Sequence, residues 1–223
     1  MRNVCFKDRK QAGRLLAQAL EKYKDGDAIV YALPRGGVEI GAEIAEHLQA
    51  PLDLIIPRKI GHPLDPEYAI CAVTESGYLV CNQEEVAALD MEWLEQVTGA
   101  QIAEARRRRL TYLAGRSPIT AEGHMTIVTD DGVATGLTML AALQEIRNYQ
   151  PARIVVAVPV IPYDAVEQLQ QYADEVVALD APRMFRGYIG AYYEEFDQVE
   201  DDEVVELLER FKTQEVSHGQ RSR

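Results

Sequence analysis

Short apolar runs, each followed by a stretch of helical apolar spacing, predict a doubly wound α/β fold with a mainly parallel sheet and helices on both faces. Runs such as Ala28 to Leu33 and Ile154 to Val158 are apolar throughout, as suits strands covered on both sides. Small, acidic or proline residues punctuate the joints between strands and helices.

The first helix is marked by Leu15, Leu16, Ala19 and Leu20, and Asp25-Gly26-Asp27 ends it before the strand Ala28 to Leu33. A second helix runs through Val38, Ile40, Ile44 and Leu48, and a strand follows from Leu52 to Ile56. Residues 58 to 70 carry Gly61, Pro63 and Pro66 among charges and read as a long loop, while Ala72 to Val80 reads as a hairpin turning at Glu75-Ser76-Gly77. A long helix from about Asp90 to Leu113 contains Arg106, Arg107, Arg108 and Arg109. Successive residues step about 100° around a helix, so these four spread around it. Ion pairing or a subunit contact is expected of them rather than a nucleic-acid stripe. The alternation then resumes with strand Met125 to Thr129, helix Leu137 to Tyr149, strand Arg153 to Val158, helix Asp164 to Tyr172 and strand Glu175 to Leu179. An aromatic segment, Phe185 to Phe196, and an acidic helix, Asp202 to Phe211, follow. The expected organisation is a core over residues 1–180, with a flexible loop at about 58–82 and a helical insert at about 90–114. A C-terminal hood and acidic helix over 181–213 and a disordered tail over 214–223 complete it.

With 223 residues, 47% of them hydrophobic, the chain can bury one sizeable core without a structural metal or disulfide. Its net charge of −13 repels nucleic acid and anionic membrane surfaces, so neither is an expected partner. The apolar stretch from Ile154 to Ile161 is far shorter than a bilayer span, and Met1-Arg2-Asn3 opens no secretory signal. Cys5, Cys71 and Cys81 are odd in number and form no Cys-x-x-Cys pair. A reducing cytoplasm fits this pattern.

The most informative stretch is Thr126-Ile127-Val128-Thr129-Asp130-Asp131-Gly132-Val133-Ala134-Thr135-Gly136-Leu137-Thr138. A strand ends in two adjacent carboxylates, and a loop of small residues then opens a helix. Small residues let backbone N–H groups approach a ligand, and the helix N-terminus favours a phosphate. Adjacent carboxylates repel each other unless a diol, an ammonium or a divalent cation shares their site. Phosphate and diol side by side describe a ribose 5-phosphate.

This motif resembles the signature of the type I phosphoribosyltransferases, which use phosphoribosyl pyrophosphate (PRPP). The resemblance implies that Asp130 and Asp131 bind the ribose hydroxyls and touch Mg²⁺ through water. It also implies that the loop from Gly132 through Val133, Ala134, Thr135, Gly136 and Leu137 to Thr138 holds PRPP at its 5-phosphate. Leu33-Pro34-Arg35-Gly36-Gly37 is similar to the pyrophosphate loop of these enzymes, with Arg35, Gly36 and Gly37 as ligands and a cis peptide between Pro34 and Arg35. Arg58 and Lys59 resemble a basic pair that reaches the pyrophosphate. The segment Ile60 to Ala72 stands in the place of a mobile catalytic loop, which makes His62 and Glu67 catalytic candidates. Phe185, Tyr188, Tyr192 and Glu194 stand where a hood covers the acceptor base, although packing of the arm explains these aromatics equally well. Phe6-Lys7-Asp8-Arg9, Arg58 to Glu75 and Ile189 to Phe196 are similar to the bacterial family called predicted phosphoribosyltransferases, except that Cys71 stands where glycine is expected.

The expectation is therefore an Mg²⁺-dependent glycosyltransferase that passes ribose 5-phosphate from PRPP to a nucleobase-like nitrogen acceptor and releases pyrophosphate, as in nucleotide salvage. A homodimer is left open. The alternative is a regulator that senses PRPP without turnover. A phosphoacceptor receiver is disfavoured, because both aspartates share one strand end followed by Thr-Gly-x-Thr.

Overall fold

The structure, a computed structural model, describes residues 5–24 and 26–211, so the expected tail over 214–223 lies outside the described residues. Five parallel strands form the main sheet: β1 (Ala28–Ala32), β2 (Leu52–Leu54), β6 (Met125–Thr129), β7 (Arg153–Val160) and β8 (Glu175–Asp180), in the spatial order β2-β1-β6-β7-β8. Alternate residues of β1 feed opposite cores. Val30 and Ala32 join the side covered by α1 (Arg9–Ala19) and α2 (Gly36–Leu48), whereas Ile29 and Tyr31 join the side covered by α5 (Leu137–Asn148) and α6 (Tyr163–Leu169). Burial on both faces is why these strands read as unbroken apolar runs. The doubly wound parallel sheet is the architecture the alternation predicts.

From β1 the chain winds one way to β2 and the other way to β6. The carboxyl ends of β1 and β6 therefore flank the topological switch point, where open α/β sheets form a ligand crevice. The loops leaving those two strands are Pro34 to Gly37 and Asp130 to Gly136.

The expected irregular loop over 58–70 is instead a hairpin. Strands β3 (Arg58–His62) and β4 (Asp65–Val73) pair antiparallel, and β5 (Leu79–Cys81) adds to β4 across the turn at Glu75-Ser76-Gly77. The register slips around Gly61, where a Cβ would lie 2.1 Å from the Pro66 carbonyl oxygen. This irregularity and the exposed residues of the hairpin tip hide the strand period. Cys71 and Cys81 face each other in register and form a disulfide, a pairing that the search for close cysteine spacing does not find. The hairpin base packs on α5 through Ala72, Leu137 and Ala141.

After the short helix α3 (Gln83–Val86), α4 (Met91–Leu113) is started by Asp90, whose carboxylate accepts from the Glu92 amide at 2.9 Å. The arginine run makes ion pairs, as expected of it. Arg107 and Arg108 bind Glu104, Arg106 donates to the Glu75 carbonyl, and Arg109 binds Glu75 and the Leu54 carbonyl close to Asp53. Arg109 thereby ties α4 and the hairpin turn to the edge of the main sheet.

The C-terminal arm joins the main core. Phe6 donates its amide to the Tyr192 carbonyl, the Glu194 amide returns a bond to Phe6, and α7 (Asp201–Glu209) buries Val204 and Leu208 beside α2 and α4. A reciprocal capping box of Glu200 and Glu203 starts α7. Among the described residues no helix is long and apolar enough to cross a membrane.

Candidate active site

Asp130 and Asp131 stand at the carboxyl end of β6, and the Asp131 amide donates to Asp130 Oδ1 at 2.8 Å. Burial and the neighbouring Asp131 charge push the Asp130 carboxyl well above the ordinary range. Burial also raises Asp131, but the Arg9 guanidinium opposes that rise. Arg9 Nε donates to Asp131 Oδ2 at 2.8 Å and Nη1 donates to the Asp197 carbonyl at 2.6 Å. The guanidinium also lies 3.8 Å from the Phe196 ring centroid. Only 8% of the Arg9 side chain is exposed. The pair is thus held with Asp131 against a buried cation, while Asp130, without that partner, is the carboxyl raised further.

Sequence reasoning missed Arg9 as a site residue. Its signal was a charge at the head of the buried α1 stripe that continues through Ala12, Gly13, Leu16 and Ala17. Tyr193 was missed as well: its hydroxyl donates to the Asp131 carbonyl oxygen at 2.6 Å.

Across the switch point, the loop after β1 approaches these carboxylates closely. A Cβ on Gly36 would lie 1.9 Å from Asp131 Oδ2, and one on Gly37 would lie 2.9 Å from the Asp130 Cα. Only glycine permits this contact. The Pro34–Arg35 peptide is cis, as the resemblance implies. Arg35 occupies the residue before α2 without a side-chain cap bond, and its Nη1 lies 3.4 Å from Asp201 Oδ1 and 3.6 Å from Glu200 Oε2.

Beyond the acid pair, the small-residue loop divides its work. Gly132 answers to packing, since a Cβ there would meet Ile189 of the arm at 2.6 Å. Val133 turns inward and spends its amide on the Val160 carbonyl. Ala134 and Thr135 are exposed, and Gly136 takes φ +81° to enter α5. The first bond of that helix runs from the Leu140 amide to the Gly136 carbonyl, so the amides of Leu137 and Thr138 have no intrahelical acceptor. They offer an anion site at the helix end.

Arg58 opens β3, is partly buried, and donates to Gln101 Oε1 at 3.1 Å. Lys59 pairs with Glu67 at 2.8 Å across the exposed hairpin, and His62 Nδ1 accepts from the Leu64 amide. Lys59, His62 and Glu67 are therefore engaged within the hairpin, without a hydrogen bond or ion pair to Asp130 or Asp131. The hood residues separate. Tyr192 is 1% exposed and stacked on Phe185, which corrects its expected role at the acceptor: it is a core residue. Tyr188 and Glu194 remain exposed.

The donors suit Mg²⁺, being hard oxygens of two adjacent carboxylates. Among the described residues no group of three or more His, Cys, Asp or Glu side chains forms a metal cage, so substrate oxygens and water would complete the coordination.

Comparison with known proteins agrees with this architecture. The family described as the phosphoribosyl transferase domain matches residues 7–193. A Mycobacterium tuberculosis (strain H37Rv) protein bearing the name "Putative phosphoribosyl transferase Rv0571c" is 42% identical over 207 residues, which cover 92% of this chain and 46% of that protein. The chain thus spans about half the length of the curated relatives it matches. The crystal structure of TT1426 from Thermus thermophilus superposes with a TM-score of 0.77 at 40% identity, covering 93% of this chain and 99% of that one. The chain belongs to the phosphoribosyl transferase domain family.

Proposed function

We propose that the crevice between β1 and β6 binds PRPP with Mg²⁺ and transfers its ribose 5-phosphate to the ring nitrogen of a flat heterocycle, releasing pyrophosphate. The observation that carries this reading is the close approach of Gly36 to the Asp131 carboxylate. It brings a loop suited to pyrophosphate against the acid pair suited to a ribose diol. Asp130 and Asp131 accept the ribose hydroxyls, and the 134–138 loop receives the 5-phosphate. Gly36, Gly37, Arg35, Arg58 and Lys59 face the leaving group.

The bond from the anomeric carbon to the pyrophosphate oxygen breaks with its electron pair on the leaving oxygen, and the acceptor nitrogen supplies the pair for the new bond. Arginine side chains and loop amides stabilise the charge gathering on pyrophosphate. When bound, Mg²⁺ would neutralise part of that charge, held through water by Asp130 and Asp131. The β3–β4 hairpin closes over the centre, excludes water from the electron-poor ribosyl carbon, and brings His62 and Glu67 near enough to take the acceptor's proton. Phe185, Tyr188 and Glu194 border the acceptor, the exposed Tyr188 offering a stacking surface.

A pyrophosphate-release assay with PRPP, Mg²⁺ and a panel of purine and pyrimidine bases tests this reading, alongside calorimetric titration of PRPP. Release that depends on one base class supports transfer. PRPP binding without release for any base identifies a PRPP sensor, and no PRPP binding overturns the reading.

A further inference from the structure

Four residues of α4 form one stripe toward Arg58 and Asp201: Gln101, Glu104, Arg108 and Tyr112, spaced three or four apart. Each is engaged. Gln101 accepts from Arg58 Nε at 3.1 Å, Glu104 binds Arg108 Nε at 2.8 Å, and the Tyr112 hydroxyl donates to Asp201 Oδ1 at 2.7 Å. That same Asp201 oxygen lies 3.4 Å from Arg35 Nη1. The stripe therefore runs from Arg58 to the carboxylate that holds Arg35, with Arg108 between.

Charge along this stripe is unbalanced. Glu104 is one carboxylate shared by two guanidiniums, since Arg107 Nε also binds it at 2.7 Å. Arg58 is partly buried and its hydrogen-bond partner is the neutral Gln101, with no carboxylate at ion-pair distance among the described residues. Burial and, after it, the Arg108 and Arg35 charges lower the proton affinity of Arg58, against an opposing pull from Glu104. In a chain of net charge −13, this is a local excess of cations in a partly desolvated place, beside the Arg35-Gly36-Gly37 loop. Guanidinium forks match phosphate oxygens as well as carboxylates, so a multiply charged phosphate can replace Glu104 as the partner of Arg108.

We propose that Arg108 is a further ligand of the pyrophosphate group: it exchanges Glu104 for a phosphate oxygen and, with Arg35 and Arg58, clamps the leaving group from the α4 side. The helical insert then contributes directly to the substrate site. This inference rests on the reading of the crevice as a PRPP site.

Calorimetry with inorganic pyrophosphate plus Mg²⁺, and separately with ribose 5-phosphate, tests it on the intact chain. Arg108→Gln is expected to weaken pyrophosphate at least tenfold and leave ribose 5-phosphate within twofold, because ribose 5-phosphate has no group on that side. Arg107→Gln leaves Glu104 to Arg108 alone, so it should not tighten pyrophosphate and should leave ribose 5-phosphate within twofold. Glu104→Gln removes the competing carboxylate and should tighten pyrophosphate binding, a gain that a folding defect cannot mimic. Unchanged pyrophosphate affinity in Arg108→Gln, or an unchanged or weaker affinity in Glu104→Gln, overturns the proposal. Failure of the wild-type chain to bind ribose 5-phosphate or PRPP overturns instead the reading of the crevice on which it rests.

Discussion

Arg9 and Asp131 meet at 2.8 Å although 122 positions separate them in sequence. The first turn of the first described helix thus supplies the counter-charge to a carboxylate at the switch point. Four groups surround the Arg9 guanidinium: Asp131, the Asp197 carbonyl, the Phe196 ring and, at 3.9 Å, Glu39.

Removing this cation leaves Asp131 without its counter-ion in a confined site. Arg9→Gln should destabilise the protein by about 3 kcal/mol, the cost of breaking a largely buried ion pair. Urea denaturation at neutral pH measures it. A change within about 0.5 kcal/mol, the ordinary range for a surface substitution, would show that Asp131 has another counter-ion.

Losing a charged hydrogen bond to the ribose diol is worth about 1.5–3 kcal/mol, so Asp131→Asn should weaken PRPP by roughly 10- to 100-fold. Asp130→Asn should act in the same direction. Calorimetry with PRPP and Mg²⁺ reads both. If neither variant loses affinity, the diol is bound elsewhere.

The acid pair also predicts a pH signature in the ligand-free protein. Burial and the Asp131 charge raise Asp130 in the folded state, so the folded chain holds a proton that the unfolded chain releases near pH 3.9. The resulting stability is present in full below that value and is lost as pH rises through the raised folded value. Asp130→Asn suffers no such loss. Its stability relative to the wild type should therefore grow as pH rises from about 4 toward neutrality, by about 1.4 kcal/mol for every tenfold difference in proton affinity. Thermal melts across that range check it, and a gap independent of pH would refute it.

Tyr188 and Tyr192 should part company on mutation. Tyr192→Ala removes a fully buried ring stacked on Phe185 and should cost about 3–5 kcal/mol in denaturant stability, the range for deleting a buried aromatic. Tyr188, 64% exposed, should tolerate alanine with little change in stability while the acceptor KM rises several-fold. An unchanged KM for every accepted base would remove Tyr188 from the acceptor site.

Local chemistry made the acid pair and the small-residue loop legible from sequence. Within thirteen residues, Thr126 to Thr138 contain the strand, the paired acids, the small-residue turn and the helix start, each written by residues adjacent in the chain. The parallel sheet was equally legible, because burial on both faces leaves unbroken apolar runs. Residues 58–73 were not, since Gly61, Pro63 and Pro66 and an exposed tip break the strand period, and only pairing with β5 completes that sheet. The same holds for Cys71 with Cys81, Gly36 against Asp131, Tyr193 on the Asp131 carbonyl, and Tyr192 in the core. Sequence by itself determined where the paired acids, the small-residue turn and the helix start lie, as these are written within one strand, turn and helix. Tertiary structure alone decided which cation balances the acids and which aromatics stay exposed, because charge partnership and burial depend on elements that meet only when the sheet has wound in both directions.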